Sequence, residues 1–122
     1  MRILIVDDAS FMRITLERIL KGAGYEIVGQ AANGIEAVAA YKKYNPDLVT
    51  MDVSMPEMDG VQAVKEIRGI DPQARIVMVS AMGQEFVIKE AITAGALDFI
   101  VKPFKPDKVL ETVGKIAKRL SK

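Results

Sequence analysis

Four short, largely apolar runs of this chain end on side chains suited to chemistry. Ile3–Val6 runs into Asp7-Asp8, Leu48–Met51 into Asp52, Arg75–Val79 into Ser80, and Leu97–Val101 into Lys102. A charge at the end of a strand buried on both faces is unfavourable for solvation, so Asp52 reads as placed for chemistry rather than stability. If these runs are neighbouring parallel strands, their carboxyl ends share one edge and the five side chains converge. Three carboxylates in one pocket repel one another, and a bound hard cation relieves that repulsion. Few oxygen ligands with room for water suit Mg²⁺ better than Zn²⁺ or an all-protein Ca²⁺ cage. A lysine and a hydroxyl beside such a cation make a site for a phosphoryl group. A carboxylate aimed at that group can act as its nucleophile and form an acyl phosphate.

The elements that must position these residues follow from periodicity. Ser10 is the expected N-cap of a first helix in which Phe11, Ile14, Leu16, Ile19 and Leu20 recur at mostly helical spacing, with Gly22 and Gly24 as its stop. Glu26 to Ala31 reads as a second strand with weaker alternation. Asn33-Gly34 turns into a helix over about 35–44, with Val38 and Tyr41 inward, and Asn45-Pro46 ends it. After the central run, the Ser54 to Gly60 loop carries Pro56 and Asp59-Gly60. Val61, Ala63, Val64 and Ile67 mark a third helix that closes near Gly69. A fourth runs from about Gln84 to Ala94, stopped by Gly95, with Val87, Ile88, Ala91 and Gly95 inward and Phe86 projecting among Lys89, Glu90 and Thr93. The last spans about 106–120, with Val109, Val113, Ile116 and Leu120 on one face. Five strands alternating with five helices predict an α/β fold: an open, doubly wound parallel sheet with right-handed crossovers.

Composition narrows the chemistry. The 122 residues fit one domain, and about two-thirds of the surface of a chain this size is buried on folding. There is no cysteine and no histidine, which removes disulfides, thiolate or imidazole metal sites and histidine acid–base catalysis. A net charge of +1 gives no case for nucleic acid or a membrane surface. Lys115, Lys118, Arg119 and Lys122 lack interleaved aromatics and read as a solvated face. Met1–Val6 is too short for a signal peptide, so a cytoplasmic location is expected. A Walker phosphate loop and a dinucleotide glycine fingerprint are both missing.

Taken together, Asp7-Asp8, Asp52, Ser80, Lys102-Pro103 and the loop Met55-Pro56-x-Met58-Asp59-Gly60 resemble the receiver domain of two-component response regulators. The resemblance covers residues 1–122 and implies a flavodoxin-like sheet of order 2-1-3-4-5. It implies Asp52 as phosphoacceptor from a phosphohistidine on a separate histidine kinase. It implies Mg²⁺ held by Asp8, Asp52 and the backbone carbonyl of Ser54, with Asp7 acting mostly through water. Lys102 would pair with a phosphoryl oxygen, and its bond to Pro103 would be cis. The Ser80 hydroxyl would move onto the phosphoryl group while Phe99, at the aromatic switch position, swings inward. Such a chain is a signalling switch rather than an enzyme, although it promotes its own phosphoryl transfer and dephosphorylation.

The Ser80-Ala81-Met82-Gly83-Gln84 run looks like the stand-alone chemotaxis subgroup, whose output is the flagellar motor switch protein. Because the sequence stops after the fifth helix, the output is expected on another protein, reached through the helix 4, strand 5 and helix 5 face. A monomer is expected, with a phosphatase among its possible partners. The alternatives are a receiver separated from a DNA-binding regulator or a phosphorelay protein and, from another class, a Mg²⁺-dependent phosphohydrolase.

Taken singly, several of these residues have plainer readings: Asp7 or Asp8 as a cap or loop charge, Ser80 as the N-cap of the fourth helix, Lys102-Pro103 as a turn, Phe99 as core. Ser54 and Met82 stand two residues beyond Asp52 and Ser80, flanking the approach of water, and Met82 would shield an acyl phosphate and slow its hydrolysis. Phe86 reads equally as a partner-binding anchor, alongside Lys89 and Phe99, or as an incidental exposed aromatic.

Overall fold

A computed structural model describes residues 1–120, so Lys122 lies outside the described residues. The elements alternate without exception: β1 (Arg2–Val6), α1 (Ser10–Gly22), β2 (Glu26–Ala31), α2 (Gly34–Tyr44), β3 (Leu48–Asp52), α3 (Gly60–Ile70), β4 (Ile76–Ala81), α4 (Glu85–Ala94), β5 (Asp98–Lys102) and α5 (Pro106–Leu120). All strand pairings are parallel, in the order β2-β1-β3-β4-β5. This is the doubly wound, flavodoxin-like sheet that the alternation and the resemblance together implied.

Strand alternation splits the core in two. Ile3, Ile5, Leu48, Val77 and Ile100 face α1 and α5, meeting Leu16, Leu20, Val109, Val113 and Ile116. Leu4, Val6, Val49, Met51, Ile76 and Met78 face the other way, onto Ala37 and Tyr41 of α2, Val64 and Ile67 of α3 and Ala91 of α4. β3 is buried at every residue, as its near-continuous apolar run demanded. The accessible surface, 6557 Å², is that of a compact chain of this mass, near the roughly 6,500 Å² expected from size alone.

Local chemistry sets the helix ends. Asn33 caps α2 by accepting from the Glu36 amide at 2.8 Å, and Glu36 returns the interaction through the Asn33 side-chain amide. Asn45 closes α2 in the left-handed region, φ 44°, which asparagine tolerates. Asp59 caps α3 by accepting from the Gln62 amide at 2.9 Å.

Three local expectations fail. Ser10 is the first helical residue rather than the cap; Ala9 takes that place, and the turn is held instead by Asp7, whose Oδ1 accepts from the Ala9 amide at 2.9 Å. In α1, Leu16 and Leu20 are buried with Ile19 against them, but Phe11 and Ile14 are exposed. Phe11 and Ile14 lie off the arc that Leu16 and Leu20 define, so helical spacing alone overstated the apolar face. Leu97 is likewise exposed, and β5 starts one residue later, at Asp98.

Candidate functional site

The carboxyl ends of β1, β3, β4 and β5 lie along one edge, and the side chains singled out in the sequence meet there. Asp52 is the last residue of β3, and the β1–α1 turn that follows Val6 carries Asp7 and Asp8 beside it. One oxygen from each of Asp7, Asp8 and Asp52 lies within 4.8 Å of the others. Asp7 and Asp52 are buried, whereas Asp8 opens to solvent. Lys102, ending β5, reaches across: its ammonium donates to Asp7 Oδ2 at 3.0 Å and lies 3.4 Å from Asp52 Oδ1. Arg13 of α1 braces the turn, donating through Nη1 to the Asp7 carbonyl at 2.6 Å and through Nε to Gln30 Oε1 at 3.1 Å. The Lys102–Pro103 peptide is cis.

The electrostatics follow from that packing. Burial, and next the charge of Asp7, push the Asp52 carboxyl up to about 6, while Lys102 pulls the other way. Burial on its own would lower Lys102, but its hydrogen bond to Asp7 and the charges of Asp52 and Asp7 outweigh that and hold the ammonium above its ordinary range. The pocket thus holds more negative charge than one lysine balances. Three converging carboxylate oxygens, one of them open to water, fit a small divalent cation that keeps several waters.

The backbone beneath Asp52 is held from below. Gly60, the first residue of α3, donates to the Val53 carbonyl at 2.9 Å, and a Cβ there would collide with the Asp52 carbonyl oxygen. The Asp59-Gly60 pair therefore does two jobs: one residue caps the helix and the next lets it press against the strand end.

Ser80 lies within β4, not at a helix cap; Gln84 holds the N-cap position of α4. Its hydroxyl is fully buried and has no hydrogen-bond partner among the described residues, a state shared only with Thr50. Alternation puts Ser80 on the α4 side of the sheet, the side of Phe99 and Val101, with Ser80 opposite Val101 in the register. Phe99 is not core: it is 41% exposed and borders a groove with Met82, Ile88 and Val101. Met82 is 78% exposed in the β4–α4 loop. Phe86 is 75% exposed and shares a shallow depression between α3 and α4 with Lys65 and Lys89, apart from the Phe99 groove.

Sequence reasoning missed one side chain at this edge. Gln84 Oε1 accepts from the Ala81 amide at 2.6 Å, and its Nε2 donates to the Ser54 hydroxyl at 3.0 Å. A glutamine where a helix would ordinarily start on Ser, Thr, Asp or Asn was the signal available.

Comparison with known proteins agrees with this arrangement. The sequence model of the response regulator receiver domain matches residues 3–114. The chain is 58% identical over 117 residues to the chemotaxis protein CheY of Thermotoga maritima, covering 96% of this chain and 98% of that one. It is 60% identical over 114 residues to the CheY of Bacillus subtilis, covering 93% and 95%. Among solved structures, the CheX–CheY–BeF₃–Mg²⁺ complex of Borrelia burgdorferi contains a chain that superposes with a TM-score of 0.91 at 42% identity, covering 95% of this chain and 88% of that one. With five parallel strands in the shared order, a lysine bridging buried aspartates at their carboxyl edge, and near full-length identity of this size, the chain belongs to the response regulator receiver domain family.

Proposed function

We propose that this chain acts, over residues 1–122, as a phosphorylation-driven switch of a two-component system, with Asp52 as the acceptor and chemotaxis as its setting. The observation that carries the reading is the Lys102 ammonium spanning Asp7 and Asp52, with Asp52 at the open end of a buried strand. A carboxylate oxygen of Asp52 attacks the phosphorus of a phosphohistidine on a partner kinase. An O–P bond forms, the P–N bond breaks, and its electron pair stays on the imidazole. Lys102 neutralises charge on the transferred group, and the unpartnered Ser80 hydroxyl is free to donate to it.

Asp7, Asp8, Asp52 and the Ser54 carbonyl would hold Mg²⁺, which supplies charge neutralisation for the phosphoryl oxygens when bound. As the Ser80 hydroxyl turns toward the modified Asp52, it vacates space on the α4 side of the sheet. Phe99, now turned outward, can then move inward on that same side. The change biases a two-state packing of the α4–β5–α5 face rather than pushing a lever. Histidine kinase, motor switch protein and phosphatase are the partners this reading calls for. The named chemotaxis relatives support it in kind.

The test is mass spectrometry after acetyl phosphate and Mg²⁺. One phosphoryl adduct per chain, absent in Asp52→Asn, is expected. Steady phosphate release without a stoichiometric adduct would instead identify a phosphohydrolase.

A further inference from the structure

In a parallel ladder, alternate residues direct both backbone polar groups to the same neighbouring strand. Val79 bonds toward β3, since its carbonyl accepts from the Val53 amide at 3.1 Å. Ala81, two residues on, therefore also directs its N–H toward β3. But β3 ends at Asp52, paired with Val79, while β4 continues through Ala81 beside Lys102 of β5. The Ala81 N–H thus projects past the last paired residue of β3, into the space beyond the end of the strand that Asp52 closes. The Val53 carbonyl accepts from the Gly60 amide and not from Ala81. Without an acceptor from the protein, this exposed edge donor would be left to water.

Gln84 provides one. Its carboxamide takes the Ala81 N–H at 2.6 Å and is tethered at its other end to the Ser54 hydroxyl at 3.0 Å, closing a bridge from the β4–α4 loop to the β3–α3 loop. Gln84 also holds the N-cap position of α4. A three-oxygen group on Asp52 would lie where this N–H points, and would compete with the carboxamide for it.

We infer that the Gln84 carboxamide is a latch that occupies the Ala81 N–H in the unmodified chain and must release it when Asp52 carries a phosphoryl group. Gln84 is then a positioning residue. Its release frees the N-cap residue of α4 from the Ser54 loop, and the bond it gives up is subtracted from the affinity of the pocket for the phosphoryl group. The inference rests on Asp52 as the acceptor.

Beryllium fluoride with Mg²⁺ serves as the probe, using calorimetric titration and backbone amide exchange of the full chain. Gln84→Met keeps the length and removes both hydrogen bonds. It is expected to bind the probe about two- to tenfold more tightly than wild type, the range one net hydrogen bond spans. In the probe-free state, Ala81 amide exchange should be slow in wild type and fast in Gln84→Met. With the probe bound, it should be slow in both. Ser54→Ala, which cuts only the tether, should shift affinity in the same direction by less, and the two changes should not add. Equal or weaker binding by Gln84→Met, or an Ala81 amide that exchanges alike in both free chains, overturns the latch while leaving the acceptor reading intact. A wild-type chain that takes up no probe overturns both.

Discussion

The Lys102 ammonium lies 3.0 Å from Asp7 Oδ2 and 3.4 Å from Asp52 Oδ1, so Asp52, the proposed acceptor, receives the weaker share of the lysine. Asp7 is pinned at its other oxygen by the Ala9 amide and serves as the anchor for the cation. Asp52 keeps more of its desolvation penalty. This explains how a buried carboxylate can be both held in place and available.

That division has a pH signature. The folded Asp52 carboxyl titrates at about 6, above its ordinary 3.8, so between those values the folded chain binds more protons than the unfolded one. The associated stability is present below the unfolded value and is lost as pH rises through about 6. In metal-free protein, Asp52→Asn should therefore stabilise the fold at pH 7 by about 2 to 3 kcal/mol, and by almost nothing near pH 4. Urea unfolding at the two pH values measures this. Equal effects at both would contradict the assigned burden.

Gly60→Ala places a methyl group against the Asp52 carbonyl. The cost should be about 1 to 3 kcal/mol in urea unfolding, as for other overpacked sites. Phosphorylation by acetyl phosphate should slow in the population that stays folded, because the strand end must shift. Normal labelling kinetics in a destabilised variant would show that α3 does not set the position of Asp52.

Met82 offers no hydrogen bond to an attacking water. Its exposed position in the β4–α4 loop leaves it free to cover the acyl phosphate. Met82→Glu is expected to shorten the lifetime of phosphorylated chain severalfold, read as adduct decay after the donor is removed. An unchanged lifetime would dismiss the shielding role.

Phe86 stands well away from the acidic pocket, beside Lys65 and Lys89. Phe86→Ala should leave labelling of Asp52 unaltered and weaken binding of the phosphorylated chain to its target by tenfold or more, as aromatic anchors do. Affinity equal to wild type would reduce Phe86 to an ordinary exposed aromatic.

The sequence disclosed the elements because period-2 and period-3.6 patterns leave little ambiguity when strands and helices strictly alternate. The meeting of Asp7, Asp52 and Lys102 was legible too, because parallel strands bring their ends to one edge. The order β2-β1-β3-β4-β5 came only through the resemblance, since apolar runs of similar composition carry no record of which neighbour they choose. Phe11 and Ile14 misled because helical spacing does not tell how wide a face the sheet will cover. Ser10 misled because the turn before α1 is held by Asp7, which accepts from the Ala9 amide, and the helix starts on Ser10 without a side-chain cap. Gln84 stayed hidden because its role depends on β4 outrunning β3, a property of register rather than of residue type.

Lys102, the last residue of β5, and Asp7, just past the end of β1, lie 95 positions apart. The chain must therefore have been made through β5 before the acids acquire their counterion. Intermediates lacking the final strand would hold a cluster of uncompensated negative charge. The charge balance of this edge is thus a late product of sheet assembly, reached only once β5 has docked beside β4.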